Sequence, residues 1–191
     1  MRAFVIAMAC EAAQLPEKCA GELMIVSGIG KVNAAMAAQK AIDLGADEII
    51  NFGLAGGFGD FEVGDLAEAE KAVEYDFDID QLNHRGVGVL DEMDTPYLPL
   101  ETTGKFRKVT LMTGDRFNDS DADLELMQKL GGTVRDMEGA AIAHVCLANK
   151  VKCRALKCIS DVHGKGSMTR QFEDNRERAL KCLKDALICW I

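Results

Sequence analysis

The feature of this sequence that most restricts its fold is an alternation of short apolar runs with longer amphipathic segments, joined by glycine-rich turns. The apolar runs have the length of buried β-strands, and the segments between them have helical periodicity. Two glycine clusters, residues 27–31 and 53–59, directly follow predicted strands. Strands that alternate with helices predict an α/β fold with a central mixed, largely parallel sheet. We expect three layers, with helices flanking the sheet.

The apolar periodicity places each element along the chain. Strands are predicted at residues 3–9, 23–26, 48–52, 63–75, 106–113 and 155–160. Helices are predicted at residues 11–15, 32–44, 121–130, 140–148 and 173–191. Residues 76–103 show poor periodicity, and a long irregular segment inside a domain is commonly functional or mobile. Because no linker or repeat interrupts the pattern, residues 1–191 are predicted to form one domain.

Composition argues against several classes of function. The formal net charge of -9 disfavours nucleic acid and anionic membranes as partners, and the apolar runs are too short to cross a bilayer. The 7 cysteines include no Cys-x-x-Cys pair and the 3 histidines are far apart, so neither a metal nor another cofactor is expected. The first residues lead into a predicted strand rather than a signal peptide, which favours a cytoplasmic location.

Three acidic residues occur where predicted strands, or the loops after them, open toward the same edge of the sheet. They are Glu11, Glu138 and Asp161. Ligands of open α/β sheets bind at the carboxyl ends of the strands. Cleavage of a glycosidic bond suits such a set, because it needs an anion near the sugar, an acid for the leaving group and a base for water. For Asp136 and Glu138, capping of the following helix in solvent is the simpler interpretation of spacing alone. His144, on that helix, is predicted to be a packed core residue.

The glycine clusters do not form a nucleotide-phosphate motif. Gly28 and Gly30 match two glycines of a dinucleotide fingerprint, but Asn33 occupies the place of the third. No Gly-Lys-Ser/Thr phosphate loop is present in the sequence. Tight turns explain either cluster equally well.

Several motifs nevertheless occur in an order that resembles the purine nucleoside phosphorylase and nucleosidase superfamily. The resemblance covers nearly the whole chain and is most similar to the 5'-methylthioadenosine/S-adenosylhomocysteine nucleosidase family. It is most specific in the Met137-Glu138 and Ser160-Asp161 pairs, which occur together and in this order. The motifs are Met8 with Glu11, Ser27-Gly28-Ile29-Gly30-Lys31-Val32, Asn51-Phe52-Gly53-Leu54-Ala55-Gly56-Gly57, Gly114-Asp115-Arg116-Phe117, the run from Met137 to Cys146, and Ile159-Ser160-Asp161-Val162.

This resemblance implies a role for each candidate residue. Glu11 matches the base that activates the attacking water, and Asp161 matches the acid that protonates N7 of the purine. Glu138 matches the glutamate that binds the ribose hydroxyls and stabilises the cationic sugar. The implied substrate is a small purine nucleoside, specifically a 5'-modified adenosine, and the implied assembly is a homodimer. The predicted substrate-binding residues are Met8, Ile29, Gly56, Phe117, Asn118, Asp136, Met137, Lys157 and Ser160.

Three positions depart from the family pattern. Leu54 stands where relatives carry Ser, and Lys157 stands where the nucleosidases carry Arg, which keeps the charge without the planar fork. The segment between Glu11 and Ser27 is shorter than usual. We predict a hydrolase, with two alternatives. One is a phosphate-dependent phosphorylase, although Asn51 and Leu54 hold the places of its phosphate-binding Arg and Ser. The other is a non-catalytic nucleoside-binding relative.

Overall fold

One mixed sheet organises the molecule. The structure, a computed structural model, describes residues 1–117 and 120–191, with only the backbone of Asn83. The strands of this part are β1 (Arg2–Ile6), β2 (Leu23–Val26), β3 (Glu48–Gly57), β4 (Leu66–Glu74), β5 (Leu98–Pro99), β6 (Arg107–Thr113), β7 (Val134–Asp136) and β8 (Lys152–Val162). The α-helices are α1 (Ala9–Ala12), α2 (Lys31–Asp43), α3 (Asp80–Asn83), α4 (Asp121–Lys129), α5 (Gly139–Ala148) and α6 (Met168–Trp190).

Strand β3 holds the sheet together because it is hydrogen-bonded along both edges. Its first residues pair in parallel with β1, and its whole length pairs in parallel with β8. Its last residues, Gly56 and Gly57, pair with the antiparallel strand β7. Strand β8 also pairs with β4, β4 with β6, and β6 with β7, so these strands and β3 close into a ring. The predicted mixed, largely parallel sheet is confirmed.

Two apolar cores lie on opposite faces of the sheet and define the three layers. In β1, Ala3 and Val5 belong to one core, while Phe4 and Ile6 belong to the other, as the strand period of two requires. Small buried residues of α2 and α5 fill the first core. Helix α6 fills the second with the residues predicted for its apolar side, Leu180, Leu183, Leu187 and Trp190. The predicted flanking helices are therefore confirmed.

Several local predictions were wrong. Residues 53–57, predicted as loop, belong to β3, because β7 and β8 pair with this glycine-rich segment on both sides. Strand β7 itself was not predicted. Helix α6 begins at Met168 rather than at residue 173. His144 is not a core residue: it lies on the open side of α5, where its Nδ1 is 3.0 Å from Glu74 Oε1.

Candidate active site

A cavity of about 420 Å³ lies where β1, β3 and β8 end and where β7 arrives from the opposite direction. This is the size of a pocket for a small ligand. Most of the predicted site residues meet in it, and those that line it are Met8, Glu11, Ile29, Gly56, Phe117, Asp136, Met137, Glu138, Ser160 and Asp161. Asn118 lies outside the described residues. Lys157 does not line the cavity and is treated below.

Glu11 is held rigidly by the backbone of its surroundings. Its Oε1 accepts a hydrogen bond of 2.8 Å from the N–H of Leu54, and its Oε2 accepts one of 3.0 Å from the N–H of Met8. A Cβ at Gly53 would lie only 2.6 Å from Oε1, so this close approach needs a glycine. Burial raises the pKa of Glu11, and the hydrogen bond from Leu54 opposes this rise. A fixed carboxylate with a raised pKa suits a general base for water.

Glu138 stands at the start of α5 and points across the cavity to the first glycine cluster. Its Oε1 accepts a hydrogen bond of 2.8 Å from the N–H of Gly30. Gly30, the N-cap of α2, has a φ of 100°, a conformation that glycine adopts readily. Burial, and then the charge of Asp136, raise the pKa of Glu138 to about 7. The solvent-cap interpretation of Glu138 is wrong, since the side chain is buried and makes no cap hydrogen bond.

Asp136 connects the cavity wall to a buried cation behind it. Its Oδ2 lies 2.8 Å from Lys157 Nζ and accepts a hydrogen bond of 2.8 Å from the N–H of Gly139. Its Oδ1 accepts one of 2.5 Å from Thr113 Oγ1. Burial acts to lower the pKa of Lys157, but the neighbouring carboxylates of Asp136 and Glu138 act more strongly in the other direction. The pKa is raised overall, so the amine stays charged. Lys157 therefore compensates the acidic cluster from behind, and the prediction that it binds substrate directly needs correction.

Asp161 lies near the end of β8 and lines the cavity. Ser160 Oγ donates a hydrogen bond of 2.8 Å to Asp161 Oδ2 and lies 3.3 Å from the carbonyl oxygen of Ala55. A Cβ at Gly56 would lie 2.9 Å from Asp161 Oδ1, so the glycine makes room for this carboxyl. The side chain is buried yet borders the cavity, as an acid for a leaving group requires.

Two aromatic rings form the open side of the cavity. Phe117, a predicted substrate-binding residue, is half exposed and makes an edge-to-face contact with Phe172, with ring centroids 6.1 Å apart. Sequence reasoning missed Phe172, because the start of α6 was placed after it. It also missed Leu54, Met168, Arg116 and Arg135 as residues that line the cavity. Arg135 is adjacent in sequence to Asp136, which was the available signal.

The described residues contain no group of three or more His, Cys, Asp or Glu side chains arranged to hold a metal ion. Nor does the described part of the chain include a helix both long and apolar enough to cross a membrane. The chemistry that this cavity offers comes from its carboxyl groups, which are buried, oriented by hydrogen bonds and set around an apolar space.

Four buried carboxyl groups around a cavity at the strand ends of an α/β protein suit cleavage of a glycosidic bond. In a comparison of the sequence with family models, the phosphorylase superfamily model matches residues 20–188. The chain belongs to this superfamily, as the motifs predicted.

Several similar proteins of that superfamily are nucleosidases. The chain is 33% identical over 153 residues to 5'-methylthioadenosine/S-adenosylhomocysteine nucleosidase of Thermotoga maritima, covering 78% of this chain and 70% of the relative. It is 32% identical over 156 residues to aminodeoxyfutalosine nucleosidase of Campylobacter jejuni, covering 74% and 68%. The solved 5'-methylthioadenosine/S-adenosylhomocysteine nucleosidase of Helicobacter pylori superposes with a TM-score of 0.85 at 21% identity, covering 98% and 95%, which shows the shared fold.

Proposed function

We propose that this protein is an N-glycosyl hydrolase that releases the free base from a purine nucleoside modified at its 5' position. The observation that carries the proposal is the orientation of Glu11 by the N–H groups of Met8 and Leu54, in the same cavity as Glu138 and Asp161. The nucleosidase relatives support the same class of reaction. The 5'-modified adenosines, 5'-methylthioadenosine and S-adenosylhomocysteine, are the first substrates to assay.

Glu11, Glu138 and Asp161 each have one task in this reaction. Glu138, as a carboxylate, holds the ribose hydroxyls and stabilises the positive charge that develops on the sugar. Asp161 gives a proton to N7 of the departing purine, and Glu11 takes one from the attacking water. Phe117 stacks on the base and Met137 packs against the sugar. These roles follow the resemblance residue by residue, and the cavity supports them by bringing all five side chains to its wall.

Water rather than phosphate is the proposed nucleophile because of the charges around Glu11. A phosphate dianion beside that carboxylate would be repelled in a buried site. Leu54 offers an apolar side chain there, and the charge of Lys157 is already engaged by Asp136. Of the two arginines that line the cavity, Arg116 pairs with Asp123 at 3.0 Å, and Arg135 lies beside Gly56 and Asp161.

We further propose that the protein acts in the cytoplasm as a homodimer. Helix α2 exposes the apolar side chains of Val32 and Met36, which are 70% and 68% exposed, and Ile29 at the cavity mouth is 51% exposed. An apolar patch beside a binding site is typical of a surface that is covered by a partner. Light scattering coupled to gel filtration should give twice the mass of the chain. A monomer at micromolar concentration would refute this part of the proposal.

The experiment that tests the function is an assay of base release over a panel of nucleosides, with and without phosphate. We expect free purine and free sugar at a rate that does not depend on phosphate. Formation of ribose 1-phosphate, or a rate that disappears when phosphate is removed, would identify a phosphorylase instead. Tight binding without release of base would identify a non-catalytic relative.

A further inference from the structure

Arg135 is a buried cation in the wall of the cavity that the proposed reaction does not use. Only 6% of the residue is exposed, yet it borders the cavity. The sheet register fixes its position: Arg135 of β7 pairs with Gly56 of β3, and Gly56 pairs on its other edge with Asp161 of β8. Paired residues of neighbouring strands share a face. Arg135 and Asp161 therefore flank the same glycine.

The space above Gly56 is shared by these two side chains. A Cβ on Gly56 would lie 3.1 Å from Arg135 Nε and 2.9 Å from Asp161 Oδ1. The glycine thus lets a guanidinium and a carboxyl group approach one point of the cavity wall from opposite sides. A ligand edge that lies against Gly56 meets both groups at once.

Within residues 1–117 and 120–191, Arg135 has no carboxylate at ion-pair distance. Its Nη2 contacts the sulfur of Met168, a weak acceptor. The other arginine of the cavity, Arg116, is half exposed and paired with Asp123. Burial of a charge beside only a weak, uncharged acceptor is costly. A guanidinium that is buried beside a ligand cavity in this way indicates that the ligand supplies the missing acceptor.

The chemistry of purines identifies that acceptor. If Asp161 protonates N7 and Arg135 lies on the C6 side of that contact, Arg135 faces the substituent on C6, because N7 and C6 lie on one edge of the purine. A 6-oxopurine presents two acceptors there, N7 and O6, whereas a 6-aminopurine presents N7 and a donor. A guanidinium has donors only and stays charged, so it complements O6 and leaves the amino group of adenine unpaired against a second donor.

We propose that Arg135 determines the base specificity of this site and favours nucleosides of 6-oxopurines over those of adenine. The proposal rests on the proposed function, because it takes the position of the base from the role of Asp161. It replaces the adenine base implied by the resemblance with a hypoxanthine-like or guanine-like base. The requirement for a 5' modification is unaffected.

Binding of free bases to the unaltered protein tests the specificity without turnover. Titration calorimetry should show hypoxanthine binding at least about tenfold more tightly than adenine, the scale of a hydrogen bond to a charged group. Equal affinities, or tighter binding of adenine, would overturn the proposal. If neither base binds, the proposal on Arg135 fails, while the hydrolase assignment is decided by turnover.

Turnover separates the two proposals. With 5'-methylthioinosine and 5'-methylthioadenosine, which share one 5' group, the ratio of kcat/KM should favour the 6-oxo member. Hydrolysis that favours the adenine member would leave the hydrolase assignment intact and refute the role of Arg135. Preferential binding of hypoxanthine without hydrolysis of any nucleoside would support the role of Arg135 and refute the hydrolase assignment.

Substitution assigns the preference to one side chain. Arg135→Met should lower the ratio of hypoxanthine to adenine affinity by about tenfold, and Arg135→Lys, which keeps the charge, should lower it less. Arg176→Met removes an exposed arginine of α6 and should leave the ratio unchanged. Thermal melts identify a variant that does not fold. A folded Arg135→Met protein with the original ratio would contradict the proposal.

Discussion

Lys157 Nζ and Asp136 Oδ2 form a buried ion pair of 2.8 Å directly behind the wall of the cavity. Because Asp136 also accepts hydrogen bonds from Thr113 and Gly139, the pair ties β7, β6 and the start of α5 to β8. A single contact of this kind needs a point charge rather than the planar fork of an arginine. A lysine at position 157, where the nucleosidases carry Arg, is therefore compatible with an intact site.

Removal of that charge should shift the pH dependence of catalysis. Glu138 acts as a carboxylate, so kcat/KM should rise with pH through about 7 in the unaltered protein. Burial and Asp136 raise the pKa of Glu138 while Lys157 opposes them, so Lys157→Met should move this limb to higher pH. Breaking a buried ion pair costs about 3–5 kcal/mol, and Lys157→Arg is the matched control that keeps the charge. An unchanged limb in folded Lys157→Met protein would contradict the assignment to Glu138.

Neutralising Glu138 should lower turnover and should increase stability relative to wild type as pH rises. Glu138→Gln retains an acceptor for the N–H of Gly30 but loses the negative charge, so turnover should fall by about a hundredfold or more. The folded pKa of Glu138 lies above its ordinary value, so ionisation opposes folding, increasingly as pH rises from about 4.5 to about 7. The melting temperature of the variant relative to wild type should increase from about pH 5 to about pH 8. A variant less stable than wild type at the higher pH would show that the charge supports the fold.

One methyl group added at Gly53 should inactivate Glu11 by displacing its carboxylate, although Glu11 itself is unchanged. The Cβ of Gly53→Ala would lie 2.6 Å from Glu11 Oε1 and would displace the carboxylate from the N–H of Leu54. Misplacement of a catalytic group can cost about a hundredfold in rate, and Glu11→Gln should cost at least as much. In the double variant the second change should add little, because both act through one carboxylate. If the losses of the two single variants add in the double variant, Gly53→Ala acts through a group other than the Glu11 carboxylate.

Asp161 should matter most for leaving groups that need a proton. Asp161→Asn should abolish release of a purine, while hydrolysis of a nitrophenyl riboside, whose leaving group departs as an anion, should be affected much less. Ser160→Ala provides a comparison, since it removes the 2.8 Å hydrogen bond to Asp161 Oδ2 and keeps the carboxyl. Equal losses on both substrates for Asp161→Asn would make the residue structural.

The sequence alone located the three carboxyl groups because strand ends can be recognised from apolar periodicity, and parallel strands bring their ends together. It did not reveal strand β7, whose short Val134-Arg135-Asp136 run carries two charges where a buried strand is usually apolar. Without β7, neither the pairing of Arg135 with Gly56 nor the burial of Lys157 behind Asp136 can be anticipated. Both depend on register between strands far apart in the chain, which local patterns do not encode.

The pairing of β3 with its neighbouring strands predicts how the protein loses activity on heating. Strand β3 pairs with β8 along its whole length, and on its other edge residues 48–50 pair with β1 and residues 56–57 with β7. Leu54 and Gly56 at its carboxyl end adjoin Glu11 and Asp161. The amides of a strand paired in this way exchange with solvent only when a large part of the molecule opens. Hydrogen exchange at this strand should therefore be among the slowest in the chain, and loss of catalysis on heating should coincide with global unfolding rather than precede it.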